Sequence, residues 1–300
     1  SVARLSHAAG IGSAVPRTTL TDSYRIVATS PGSLDGLRPQ AQPRSGPEPG
    51  EVEVRITAAA LNFLDVLKAM GICPGFEASP SVALGAECAG VVVAAGSGVG
   101  HLRVGDEVVA ITPSYRTTSM LASYVTVPAG FVQSRPAVLS PEKACAAPVA
   151  YLTAYYALCE LGRVRAGERV LVHSATGGVG LAALEICRLV GAEVIATAGS
   201  PQKRAHLQAL GIEHVLDSRT TAFARQVREI TAGRGVDLVL NSLPGDAIPA
   251  GLSVLAPRGR FLELGKSDVY AHRSLDLAVF KNNLALFVVD LAGLTEQDPR

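Results

Sequence analysis

Three hundred residues with 48% apolar and 18% charged side chains can bury a sizeable core, which excludes disorder and makes two domains the natural expectation. Twenty-seven basic against 26 acidic residues leave a net charge of +1 with no long basic run, so nucleic acid and anionic membrane surfaces are poor partners. No uncharged apolar stretch reaches the ~18 residues of a membrane span, Ser1–Gly10 has no apolar signal core, and the five scattered cysteines lack zinc-ligand spacing and read as buried thiols in a reducing cytosol.

In the first half, short apolar runs alternate with Pro and Gly. Tyr24-Arg25-Ile26-Val27 and Glu51-Val52-Glu53-Val54-Arg55-Ile56 read as half-buried strands, with the Pro/Gly-rich residues 39–50 between them as a loop. Further strands are predicted over residues 89–94, 107–111 and 122–127, with turn signals at Gly96-Ser97-Gly98 and Val104-Gly105-Asp106. Short strands at this spacing predict a small β barrel or sandwich. Near Ala144 the pattern changes. Strands are predicted at 168–173, 193–198, 236–240 and 260–264, and helices at 178–190, 201–210 and 246–255. This is the βαβ rhythm of an α/β fold with a doubly wound parallel sheet.

The strongest local signal is Ala175-Thr176-Gly177-Gly178-Val179-Gly180-Leu181-Ala182-Ala183, between a predicted strand and a predicted helix. Gly178, Gly180 and Ala183 fit the dinucleotide fingerprint. A side chain at Gly178 is expected to block the turn, one at Gly180 to hold a pyrophosphate off the backbone, and a bulkier residue at position 183 to push the helix off the sheet. The helix N-terminus offers unpaired N–H groups to the pyrophosphate. The next strand ends Thr197-Ala198-Gly199-Ser200, then Pro201-Gln202-Lys203-Arg204, without the acid that an NAD ribose prefers. Ser200 and Lys203 therefore point to a 2′-phosphate and NADPH. Arg204 is left between the same phosphate and a solvated helix face.

A barrel-like domain followed by a nucleotide domain resembles the medium-chain dehydrogenase/reductase superfamily. Its alcohol dehydrogenases bind zinc through a His in a Gly-His-Glu triplet. The triplet here is Gly85-Ala86-Glu87, and no metal is expected. The resemblance implies a GroES-like β-barrel substrate domain over 1–145 and a Rossmann-like NADPH-binding domain over 146–300. Within the superfamily, Leu61-Asn62-Phe63-Leu64-Asp65-Val66, Leu152-Thr153-Ala154-Tyr155, Leu240-Asn241-Ser242-Leu243 and Glu263-Leu264-Gly265-Lys266-Ser267-Asp268 resemble the enoyl reductase domains of type I polyketide synthases. That likeness implies hydride transfer from NADPH to Cβ of a 2-enoyl thioester on an acyl carrier protein, then protonation at Cα, beside neighbouring synthase domains.

Carried over residue by residue, Lys266 is the candidate proton donor, Asp290 its partner, and Asn62 a contact for nicotinamide or substrate, while Asp65 is structural. Thr153, Asn241, Ser242, Leu243 and Gly265 join the glycine loop, Ser200 and Lys203 in the cofactor set. Arg219 matches a position near the adenosine phosphate, and a surface-loop role is as good a reading of it. Two departures stand out. Gly71-Ile72-Cys73-Pro74-Gly75 has cysteine where many relatives have a tyrosine offered as proton donor. The chain also stops at Arg300 soon after a strand-like stretch at 284–291, so the superfamily's return to the first domain is expected to be largely missing. A free-standing NADPH quinone oxidoreductase and a non-catalytic nucleotide-binding domain remain open as alternatives.

Overall fold

A computed structural model of the chain describes residues 23–76 and 82–297, so the N-terminal stretch read for a signal lies outside the described residues. The chain divides into two compact units, one running to Pro148 and including residues from Leu294 on, the other spanning Val149–Gly293.

In the first unit, β1 (Tyr24–Ala28) pairs antiparallel with β2 (Leu37–Ala41). A five-stranded antiparallel sheet follows, from β3 (Glu51–Ala60), β4 (Glu87–Ala95), β5 (Glu107–Ile111), β6 (Tyr124–Pro128) and β7 (Val132–Ser134), in the order β6-β3-β4-β5-β7. The alternation in the sequence explains its core: Val52 and Val54, Val108 and Ala110, and Val125 and Val127 all bury one face around Met120. β2 is a correction, because its residues 39–41 fall in the stretch expected to be loop. Pro39 stands opposite Ile26 in a ladder at the edge of the ribbon, where a missing N–H is tolerated.

The second unit holds a six-stranded parallel sheet built from β8 (Arg169–Val172), β9 (Glu193–Ala198), β10 (His214–Asp217), β11 (Val236–Asn241), β12 (Leu255–Glu263) and β13 (Ala285–Val288). The order is β10-β9-β8-β11-β12-β13. Strand residues alternate between two cores. Val170, Val172, Leu238, Leu240 and Leu262 face one with the helix Gly178–Val190; Leu171, Val239 and Phe261 face the other with the helices Phe223–Ile230 and Ala247–Ser253. Burying each such Leu or Val is worth about 1.5–3 kcal/mol. The stretch Pro141–Leu161 has the length and composition of a membrane-crossing helix, yet Ala154, Ala157 and Leu158 in it are fully buried in the first of these cores. The order in which successive strands are added reverses between the parallel strands β8 and β11, so their carboxyl ends flank the switch point at which open α/β sheets bind ligands.

Candidate functional site

The glycine loop leaves β8 through a turn in which Gly177 N–H donates to Ser174 O at 2.8 Å, and the helix Gly178–Val190 begins immediately after it. Its first-turn N–H groups have no partner within the helix. The glycines divide the work differently from expectation. A Cβ on Gly178 would meet nothing closer than Ala150 Cβ at 3.7 Å, so that position keeps space open above the loop rather than permitting the turn. A Cβ on Gly180 would fall 2.6 Å from Ala175 Cα and Ser174 O, so Gly180 lets the helix close onto its own loop. Ala175 and Ala183 are fully buried, Thr176 and Val179 partly so.

At the end of β9, Ser200 caps the helix Pro201–Ala209, its hydroxyl accepting from Lys203 N at 3.3 Å, while Lys203 itself is exposed. Arg219 crosses from the end of β10: its Nε donates to Gly199 O at 3.2 Å, and a Cβ on Gly199 would lie 2.7 Å from that nitrogen. An acid does stand nearby, Asp217 on β10, but its carboxylate is engaged by Arg219 N at 2.8 Å and by Arg204 at 3.1 Å. Arg204 also donates to Ala198 O at 3.2 Å, so it braces the strand ends rather than lying on a solvated face.

Three more strand ends complete the edge. Asn241, fully buried at the end of β11, accepts from Leu243 N at 3.2 Å and donates to Leu243 O at 2.9 Å and to Glu263 Oε2 at 2.6 Å. Glu263, the buried last residue of β12, also accepts from Gly265 N at 2.6 Å. Burial pushes its carboxyl up to about 7, against the Asn241 and Gly265 N–H groups that favour the charged form. Lys266 follows, and its Nζ is hydrogen-bonded and ion-paired to Asp290 beyond β13. Partial burial would raise the Asp290 carboxyl; the Lys266 hydrogen bond and charge and the Gly293 N–H outweigh it and hold it below its ordinary value. Ser242 Oγ and His173 Nε2 are buried without a hydrogen-bond partner among the described residues. His173 sits just before the glycine loop, its Nδ1 2.9 Å from Thr197 Oγ1, and burial pulls its pKa down to about 4, leaving a neutral ring at neutral pH.

These features fit a bound dinucleotide: open space over Gly178, free N–H groups at a helix start, a guanidinium at the end of the second strand, and an orphan hydroxyl at the switch point. Thr153 stands in the helix Pro148–Tyr155 and spends its hydroxyl proton on Val149 O at 2.7 Å. In the first unit, Asn62 begins the helix Phe63–Ala69, and its amide donates to buried Glu87 at 3.1 Å. Asp65 accepts from Asn62 N and Gly85 N, both at 2.8 Å; burial raises its carboxyl and those N–H groups oppose the rise. Lys68, unremarked in the sequence, is buried and donates to Ala83 O at 3.1 Å and to Tyr115 O. Cys73 is buried too. Among the described residues, no three His, Cys, Asp or Glu side chains gather to hold a metal ion.

Glu263, which stands in a motif that gives it no role, and His173 join Lys68 among the polar residues whose part the sequence motifs do not give. Glu263 and His173 each close a run of buried strand residues, Phe261-Leu262 and Val170-Leu171-Val172, and that signal was available.

Two family models match the chain: "Alcohol dehydrogenase GroES-like domain" over residues 48–137 and "Zinc-binding dehydrogenase" over 178–295. The chain is 48% identical over 269 residues to a phenolphthiocerol/phthiocerol polyketide synthase of Mycobacterium tuberculosis, covering 90% of this chain and only 12% of that protein. Among solved structures, the CurK enoyl reductase matches at 38% identity with a TM-score of 0.84, covering 93% of this chain and 84% of that one. The JamJ enoyl reductase (apo form) matches at 35% identity and 0.83, with the same coverages of 93% and 84%.

Proposed function

Because the chain belongs to the polyketide enoyl reductases of the medium-chain dehydrogenase/reductase superfamily, we propose that it reduces the double bond of a 2-enoyl thioester carried by an acyl carrier protein, with NADPH as reductant. The observation that carries this reading is the Lys266–Asp290 pair on the carboxyl edge of the same parallel sheet whose glycine loop opens above Gly178. A hydride acceptor at Cβ needs a proton at Cα, and a positioned ammonium beside a dinucleotide cradle supplies one. The neighbouring synthase domains and the carrier protein are the partners this reading calls for.

Gly177, Gly178, Val179 and Gly180 would hold the pyrophosphate through backbone N–H groups, Arg219, Ser200 and Lys203 a 2′-phosphate, and Ser242, Leu243 and Gly265 the nicotinamide end. The chemistry a bound NADPH supplies is hydride transfer to Cβ. The chain's own part is charge and proton. Lys266 Nζ carries the proton for Cα, and Asp290 fixes the direction of the ammonium. Asn62, its amide oriented by Glu87, keeps the role of a contact for nicotinamide or substrate. NADPH is preferred to NADH because Asp217, the carboxylate near the end of β9, is already occupied by Arg204 and Arg219.

The test is NADPH oxidation by the intact synthase module with a crotonyl thioester and, separately, with a quinone. Thioester turnover with little quinone turnover is expected. Quinone preferred, or neither substrate turned over, would sink the assignment.

A further inference from the structure

Glu263 is the residue through which three separate parts of the proposed site are joined. Its Oε2 accepts from Asn241, which in turn closes the Asn241-Ser242-Leu243 turn after β11. Its Oε1 accepts from Gly265 N, the residue before Lys266. Its backbone carbonyl accepts from Val289 N at 2.9 Å, the residue before Asp290. Asn241 and Glu263 are register partners on adjacent parallel strands, so their side chains meet without distortion. The fit is close on the far side as well, since a Cβ on Gly265 would lie 2.7 Å from Glu263 Oε1. Lys266 and Asp290 are themselves part-exposed and have little packing to hold them, with side-chain exposures of 31% and 52%.

From this convergence we infer that Glu263 is a positioning residue: a buried carboxylate that sets the Gly265–Lys266 turn, and so aims the Lys266 ammonium, without touching substrate or cofactor. The inference deepens the enoyl reductase reading and rests on it for the meaning of Lys266. Both carboxylate oxygens take an N–H, which an isosteric amide cannot reproduce: one end of a glutamine would present a donor to a donor. Burying an ionisable group here rather than an apolar one is costly, as its raised pKa records, and filling space would not require it.

The experiment uses Glu263→Gln in the whole synthase module and reads two things. One is acetylation of Lys266 by acetic anhydride, followed by peptide mass spectrometry, with exposed Lys203 in the same molecule as reference. The other is steady-state reduction of a crotonyl thioester. The Lys266-to-Lys203 labelling ratio is expected to rise several-fold, and kcat to fall about tenfold or more with KM nearly unchanged, because an angstrom of misplacement acts on rate rather than binding. A folded variant that labels at the wild-type ratio overturns the inference, and so does one that labels faster but turns over normally. Gly265→Ala displaces the carboxylate from the other side while keeping its charge. Because Gly265 is itself placed at the nicotinamide end, this variant decides the matter by the labelling ratio alone if the glutamine variant does not fold. Failure of both to fold overturns a positioning role in favour of a purely structural one. If the wild-type module reduces no thioester, the functional reading fails, and the labelling ratio alone then decides whether Glu263 sets Lys266.

Discussion

The Lys266–Asp290 pair is exposed enough that its worth to the fold is at most about 1 kcal/mol, so its removal belongs in rate rather than stability. Lys266→Met is expected to lower thioester turnover by about 10²–10⁴-fold while leaving the melting temperature nearly unmoved. Asp290→Asn should lower it less, since the ammonium survives with a weaker guide; steady-state kinetics beside a thermal melt check both. Arg219→Ala should reduce NADPH affinity about tenfold, the loss of one charge-assisted contact, and leave NADH affinity alone, as read by fluorescence titration of both cofactors. His173 has a stability signature of its own. The folded chain protonates it only near pH 4, whereas an unfolded imidazole takes a proton at 6.5. Between those values the unfolded state binds the extra proton, so stability is full above about 6.5 and falls as the pH drops toward 4, by up to about 3 kcal/mol. Urea unfolding of the wild type and of His173→Gln at pH 7 and pH 4.5 should show a larger acid-dependent loss in the wild type than in the variant, the other shifted carboxyls being common to both. Equal losses in both would mean that the ring is solvated.

At the scale of elements, the loop–helix contact under Gly180 is the most exacting. Gly180→Ala drives a methyl into the Ala175 and Ser174 backbone and should cost about 1–3 kcal/mol in urea unfolding, whereas Gly178→Ala, with open space above it, should unfold like the wild type and lose NADPH affinity instead. The helix Gly178–Val190 was legible to the residue because its buried positions recur at helical spacing behind an unmistakable loop. The strand His214–Asp217 and the helix Phe223–Ile230 were not. The first is four residues long with a charge at its end, and the second is only eight residues long, its i, i+4, i+7 face of Phe223, Val227 and Ile230 spanning barely two turns. The same contrast divides the site. The glycine loop is contiguous in sequence and could be read as a pattern. The union of Asn241, Glu263 and Gly265 depends on the register of two parallel strands, which exists only once the sheet has formed.

For the molecule as a whole, the candidate cofactor groups of the second unit follow the carboxyl ends of five strands of one sheet, β8 to β12, so a ligand bound there ties several strand ends together. NADPH at about a hundred times its dissociation constant should then stabilise the protein by about 2.7 kcal/mol, visible as a concentration-dependent rise in melting temperature; NADH at the same concentration should give a smaller one. The strand order also has a consequence in time. β8, β9 and β10 adjoin in the order in which they leave the ribosome, but β8 must wait for β11 to arrive and take its other side, and β12 and β13 follow outward from there. A nascent chain that has just made the glycine loop therefore has a cradle with one wall. The second wall, with Asn241 and then Glu263, is synthesised later, and Asp290 comes last of all. Cofactor capture thus becomes a late event of biogenesis, and chains released before β13 should carry the fingerprint and yet fail to retain NADPH.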